Sequence, residues 1–188
     1  MRDQLVLAST SPRRIELLSR VTTDFVTAPS RIEEDSGGPP QKQVLTLARN
    51  KAQSVAEGHE GVIIAADTVV VLDDRVFGKP RSRAEARQIL ESLSDREHAV
   101  LTGLCILSTK TGEHRQAVEK TTVRFRALSG GEIDAYLDTG EYEGKAGAYA
   151  IQGHAGVFVE RICGDYHNVM GLPICRLHSL LTEMGIKV

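Results

Sequence analysis

No two of the three cysteines, Cys105, Cys163 and Cys175, form a Cys-x-x-Cys pair. An odd, widely separated set offers neither a zinc ribbon nor a disulfide framework. Cys105 and Cys175 lie inside apolar runs and read as buried hydrophobes. The chain also lacks an apolar run of membrane-spanning length, and its N-terminus enters a strand directly, without a charged and then apolar leader. A cytoplasmic location is the expectation. With 23 basic and 25 acidic residues the formal net charge is −2. Neither a nucleic-acid polyanion nor a membrane surface is therefore an expected partner, and any cationic site must be local. There is no G-x-S-x-G elbow. Gly130 and Gly131 open a helix without the lysine that a P-loop requires. The histidines, at 59, 98, 114, 154, 167 and 178, have no H-E-x-x-H spacing. His98 and His167 read as satisfied structural residues. No internal repeat or low-complexity segment is present.

What is there begins at Leu5–Leu18. Leu5-Val6-Leu7-Ala8 reads as a buried strand, Ser9-Thr10-Ser11 as a polar break, and Pro12 as the first residue of an amphipathic helix capped by Ser11. Arg13 and Arg14 occupy the first turn of that helix. A helix N-terminus carries partial positive charge and favours acids there. Two cations make sense if a phosphate chain is held among backbone N–H groups, hydroxyls and guanidinium forks; the alternative is two solvent-facing arginines.

The 188 residues suffice for one large domain or two small lobes. A second strand is expected at 24–28, then a loop from Pro29 to Pro40 holding Glu33, Glu34 and Asp35. A helix over 44–55 carries Lys51. Val62–Ala66 is a continuous apolar run, as in a strand buried on both faces. It delivers Asp67 and Thr68 and is followed by Val69–Leu72, a turn at Asp73-Asp74 and a return through Val76-Phe77 to Gly78-Lys79-Pro80. An acid between two apolar runs must be paired or meet a metal. Ser82/Glu85 and Ser129/Glu132 have the capping-box spacing and start helices to 93 and 137. Strands are expected at 99–107 and 117–125, an irregular stretch at 161–173 and a last helix at 174–184. Strands interspersed with helices, plus an antiparallel pair, imply an α/β fold with a mixed sheet.

The polar residues at element ends divide into cations (Arg13, Arg14, Lys51, Lys79) and carboxylates (Glu34, Asp67). Phosphoryl-type displacement needs both: cations neutralise phosphate oxygens, and acids hold a divalent metal and activate water.

These stretches also carry a resemblance. LASTSPRRIELL at 7–18, IEED at 32–35, LARNKA at 47–52, AADTVV at 65–70, GKP at 78–80, KAGAYAIQG at 145–153 and GDYHNVMGLP at 164–173 together resemble the Maf family of nucleoside triphosphate pyrophosphatases. The likeness covers essentially the whole length, so residues 1–188 read as a single domain. It implies an elongated α/β fold with two lobes around a cleft, and usually a homodimer. It also implies hydrolysis of a nucleoside triphosphate between the α and β phosphates, with Mg²⁺ or Mn²⁺. Position by position, Asp67 matches the family's proton acceptor, and Ser9, Arg13, Arg14, Glu34, Lys51 and Lys79 match its phosphate and metal positions. The match favours Glu34 over Glu33. Arg13, Thr68 and the AYAIQG form at 148–153, which contains Gln152, resemble the branch acting on dTTP and UTP. The primary amide of Gln152 is able to pair with the acceptor–donor–acceptor edge of uracil or thymine. The competing readings are a nucleotide-binding regulator of cell division that turns over little, and a phosphomonoesterase that releases orthophosphate.

Overall fold

The structure is a computed structural model that describes residues 3–32 and 37–188. Its strands are β1 (Leu5–Leu7), β2 (Phe25–Thr27), β3 (Val62–Leu72), β4 (Arg75–Phe77), β5 (Glu97–Ser108), β6 (His114–Phe125) and β7 (Val159–Cys163). The helices are α1 (Pro12–Ser19), α2 (Pro40–Ala56), α3 (Arg83–Leu93), α4 (Gly130–Asp138), α5 (Tyr166–Met170) and α6 (Ile174–Glu183). The strands form one seven-stranded sheet in the order β2-β1-β3-β5-β6-β7, with β4 paired to β3. β1 runs parallel to both β2 and β3, while β4 and β7 are antiparallel to β3 and β6. The sheet is therefore mixed, and the fold is α/β as expected.

Two compact units divide the chain, and the division falls within the three long strands. The first comprises residues up to Asp67, Thr102–Glu119 and Gly171–Val188. Its core joins Val6, Ala8, Ala28, Ala48, Ala52, Val55, Ile63, Ala65 and Cys105. The alanines of α2 and of the strands let helix and sheet approach closely. The approach is tightest at Gly103 of β5, where a Cβ would lie 2.3 Å from the Val44 carbonyl oxygen. Burial pushes the Cys105 thiol up to about 11, which fits an inert core residue. Cys175 departs from expectation: it is exposed. The apolar stripe of α6 runs through Leu177, Leu180 and Leu181, and position 175 lies off that stripe.

The second unit comprises Thr68–Leu101 and Lys120–Met170. Its core is aromatic: His98, Tyr136, Tyr149, Phe125 and Phe158 meet edge to face, at centroid separations of 4.9–6.0 Å. Ion pairs tie α3 to α4, with Arg83 on Asp138 at 2.6 Å and Arg87 on Asp134. Both capping signals are realised. The Ser82 hydroxyl accepts the Glu85 N–H, and Ser129 with Glu132 forms a complete capping box. The two-residue turn at Asp73-Asp74 places Asp73 at φ 53°, as the tight link between β3 and β4 requires.

Three expectations are corrected. α2 starts at Pro40, four residues before the first apolar position read from its periodicity, because Pro40 supplies a preset φ at the first turn. The stretch 161–173 is not irregular throughout: it holds the end of β7 and the short helix α5. β7 pairs with β6 through backbone bonds, and its polar sequence gives no alternation to detect. The Ser11 side chain makes no capping bond. Instead the Ser9 hydroxyl accepts the Ser11 N–H at 3.2 Å, so the polar break is folded on itself before the helix begins.

Candidate active site

β1 delivers the chain to Ser9, which is 8% exposed, and α1 then presents Arg13 and Arg14, both half-buried. No acid stands in the first turn of α1. Arg14 Nε donates to the Gly171 carbonyl at 2.9 Å, which fixes the plane of its guanidinium. Neither arginine is without partners in the chain. Gly171 belongs to the 164–173 stretch, and this bond gives that stretch a role the sequence did not reveal. Asn168, fully buried, anchors the same stretch in the second unit by donating to Val100 O at 3.1 Å and to Thr121 Oγ1 at 3.0 Å.

Asp67 lies in the middle of β3, one continuous strand where the sequence suggested two apolar runs. Side chains alternate along a strand, so Asp67 shares a face with Ile63 and Ala65, the face α2 covers. Lys51 falls within the buried stripe of α2, among Val44, Leu47, Ala48, Ala52 and Val55. Its Nζ donates to Asp67 Oδ1 at 2.7 Å, and the two residues are 5% and 7% exposed. The pairing that an acid in this position requires is thus met by Lys51. Lys51 engages one carboxylate oxygen, and Oδ2 lies outside that pair. Thr68 follows on the opposite face of β3 and is half-exposed.

In the second unit, Lys79 is exposed and has partners within the chain. The carbonyl of Gly78 before it accepts the Gly147 N–H at 3.0 Å, which joins the GKP turn to the start of the 145–153 stretch. Tyr149, Ala150 and Ile151 are buried, at 3%, 2% and 7% exposure, and Gln152 emerges from them into solvent. His98 is buried, at 2% exposure, and its Nε2 pairs with the Tyr149 hydroxyl at 2.9 Å. The expectation of a fully satisfied ring is corrected: among the described residues its Nδ1 has no hydrogen-bond partner. Burial lowers its pKa to about 4, so the ring is neutral at pH 7.

Ser9, Arg13, Arg14, Lys51 and Asp67 therefore belong to the first unit, and Thr68, Lys79 and Gln152 to the second. Glu34 lies outside the described residues. Among the described residues no three His, Cys, Asp or Glu side chains cluster as a metal site. A single carboxylate such as Asp67 still suits Mg²⁺, which is commonly held by one or two carboxylates together with substrate phosphates and waters. No helix among the described residues is long and apolar enough to cross a membrane.

Comparison of the amino-acid sequence with known proteins points to one lineage. The family model described as "Maf-like protein" matches residues 4–184. A dTTP/UTP pyrophosphatase of Pyrococcus abyssi is 49% identical over 185 residues, 97% of each chain. A dTTP/UTP pyrophosphatase of Thermococcus gammatolerans is 48% identical over 98% of each chain, and one of Dictyoglomus thermophilum is 42% identical over the whole of both. Both the length of the match and the level of identity lead to one conclusion: the chain belongs to the Maf-like protein family.

Proposed function

We propose that this protein is a nucleoside triphosphate pyrophosphatase that hydrolyses dTTP and UTP to the monophosphate and pyrophosphate, removing excess or non-canonical pyrimidine nucleotides. The observation that carries the mechanism is the buried Lys51–Asp67 pair at 2.7 Å. Asp67 is the proton acceptor. Water oxygen attacks the α-phosphorus, its proton passes to the Asp67 carboxylate, and the bond from the α-phosphorus to the bridging oxygen breaks. Pyrophosphate leaves with that oxygen. Lys51 holds the carboxylate in one orientation, so no reorganisation is needed at the moment of transfer. Ser9, Arg13, Arg14 and Lys79 are assigned to the phosphate chain, where the arginine forks match paired phosphate oxygens. Thr68 and Gln152 are assigned to the nucleoside.

Asp67 and Glu34 are the residues that would hold a divalent cation, Mg²⁺ or Mn²⁺, which when bound neutralises charge on the phosphate oxygens. We read residues 1–188 as one catalytic domain and its assembly as a homodimer, on the strength of the family likeness. Light scattering on the purified protein checks the latter.

The test is a panel of dTTP, UTP, CTP, ATP and GTP with Mg²⁺, the products separated by anion exchange. The expected result is UMP or dTMP with pyrophosphate, faster for dTTP and UTP than for the others, and loss of turnover in excess chelator. Orthophosphate as the first product would assign a phosphatase. Tight nucleotide binding with no turnover of any substrate would assign a regulator.

A further inference from the structure

We infer that Tyr136 and Glu141 are specificity-positioning residues, two arms of a brace that fixes the backbone on both sides of Gln152. The inference rests on the reading of Gln152 as the residue that meets the pyrimidine base. Gln152 is exposed, and among the described residues its amide makes no hydrogen bond, so it is available to a ligand. An exposed amide on a loose turn would sample many orientations and discriminate poorly.

The turn is not loose. On the N-terminal side, the Tyr149 ring is seated in the aromatic core with its hydroxyl on His98 Nε2 at 2.9 Å. One residue on, the Ala150 N–H donates to the Tyr136 hydroxyl at 3.3 Å. The Ala150 carbonyl in turn accepts the Gly153 N–H at 3.0 Å, which closes the turn around Ile151 and Gln152. On the C-terminal side, one carboxylate holds two successive amides: Glu141 Oε1 accepts the His154 N–H at 3.1 Å and Oε2 the Ala155 N–H at 3.4 Å.

Position 153 records how closely that carboxylate approaches. A Cβ there would lie 1.8 Å from Glu141 Oε1, so the carboxylate occupies the space a side chain would need. Glycine at 153 is what admits it. The two arms share a root in the last turn of α4 and the turn that follows. Thr139 Oγ1 donates to the Tyr136 carbonyl at 2.6 Å and accepts the Glu141 N–H at 3.2 Å. Every group in the brace belongs to the second unit. Backbone held on both flanks removes conformational freedom before the nucleotide arrives, which is how a positioned polar group gains discrimination.

The experiment compares kcat/KM for UTP and CTP in wild type, Tyr136→Phe, Glu141→Gln, Gln152→Ala and the double variants with Gln152→Ala. Tyr136→Phe removes one oxygen and keeps the ring, and thermal unfolding verifies that each variant is folded. If Glu141→Gln does not fold, Tyr136→Phe carries the test. The expected result is a fall in the UTP/CTP ratio of about tenfold for each brace variant, with the loss larger in KM than in kcat. Neither brace substitution should lower the ratio further once Gln152 is alanine. An unchanged ratio in Gln152→Ala would overturn the base-reading role and the brace with it. A ratio that collapses in Gln152→Ala but stays at the wild-type value in the folded brace variants would overturn the brace alone. So would brace substitutions that lower the ratio equally in the presence and absence of Gln152.

Discussion

Beneath α2, the first unit is packed mainly with alanine and valine, together with Ile63 and the Cys105 thiol, whereas the second is packed with five interlocking rings. Small side chains allow a helix axis to come close to a sheet, and here that closeness brings a lysine of α2 onto an acid of β3. Rings with polar tips do the opposite: they fill a wide space and project hydroxyls from its edge. The Tyr149 and Tyr136 hydroxyls do so, reaching His98 and the Ala150 N–H. The comparison teaches that each core is matched to the group it must hold. A buried charge needs a short, dry, rigid setting; an exposed amide needs its backbone tethered from behind.

The largest expected effect comes from breaking the charged setting of the first unit. Asp67→Asn removes the proton acceptor and should lower kcat by about 100- to 10,000-fold. It also removes the carboxylate charge that faces the Lys51 ammonium in a site 5% exposed, so stability should fall by about 3 kcal/mol. Combining it with Lys51→Met should restore much of the stability and none of the activity. Urea denaturation and steady-state kinetics on wild type, both single variants and the double variant separate the two losses. Full recovery of activity in the double variant would remove Asp67 from the chemistry.

The second unit holds a buried histidine that makes it sensitive to acid. Burial holds His98 at about 4, against 6.5 for the free side chain. Between those values the unfolded chain takes up a proton that the folded chain refuses, so stability present at neutral pH is lost as pH falls from about 6.5 to about 4. The loss attributable to this residue is about 3 kcal/mol. Urea midpoints at pH 7 and pH 4.5 should differ more for wild type than for His98→Phe, which keeps a ring in the aromatic cluster. Equal differences would assign the acid sensitivity to other groups.

Arg14→Lys keeps the charge but loses both the fork and the Nε bond to Gly171, and kcat/KM for UTP should fall by about 100-fold. An unchanged value would remove Arg14 from the phosphate site. The smallest effect expected is on packing. Gly103→Ala places a methyl group 2.3 Å from the Val44 carbonyl oxygen and should cost about 2 kcal/mol as α2 is pushed from the sheet. Because α2 carries Lys51, activity should fall as well. A folded variant with wild-type turnover would show that the close approach is not needed for the Lys51–Asp67 pair.

Much of this was legible in the amino-acid sequence because the signals are local. Continuous apolar runs announced β1 and β3, serine-to-glutamate spacing announced α3 and α4, and an acid inside an apolar run announced Asp67. What escaped was set by distance along the chain. Nothing near Lys51 states that its partner is sixteen residues away on a strand, although a lysine inside an apolar helical stripe is a signal that a buried acid is close. Glu141 stands in a glycine-studded loop with no periodicity, and its bonds to His154 and Ala155 exist only once the turn is folded. Cys175 was misread as core because an apolar neighbourhood in sequence is not an apolar face of a helix.

The central claim is that Asp67 directs water to the α-phosphorus. Turnover of UTP in water enriched in ¹⁸O, followed by mass spectrometry of both products, tests it directly. The account predicts one ¹⁸O atom in UMP and none in the pyrophosphate released with it. Label in the pyrophosphate, with UMP unlabelled, would place the attack on the β-phosphorus and contradict it.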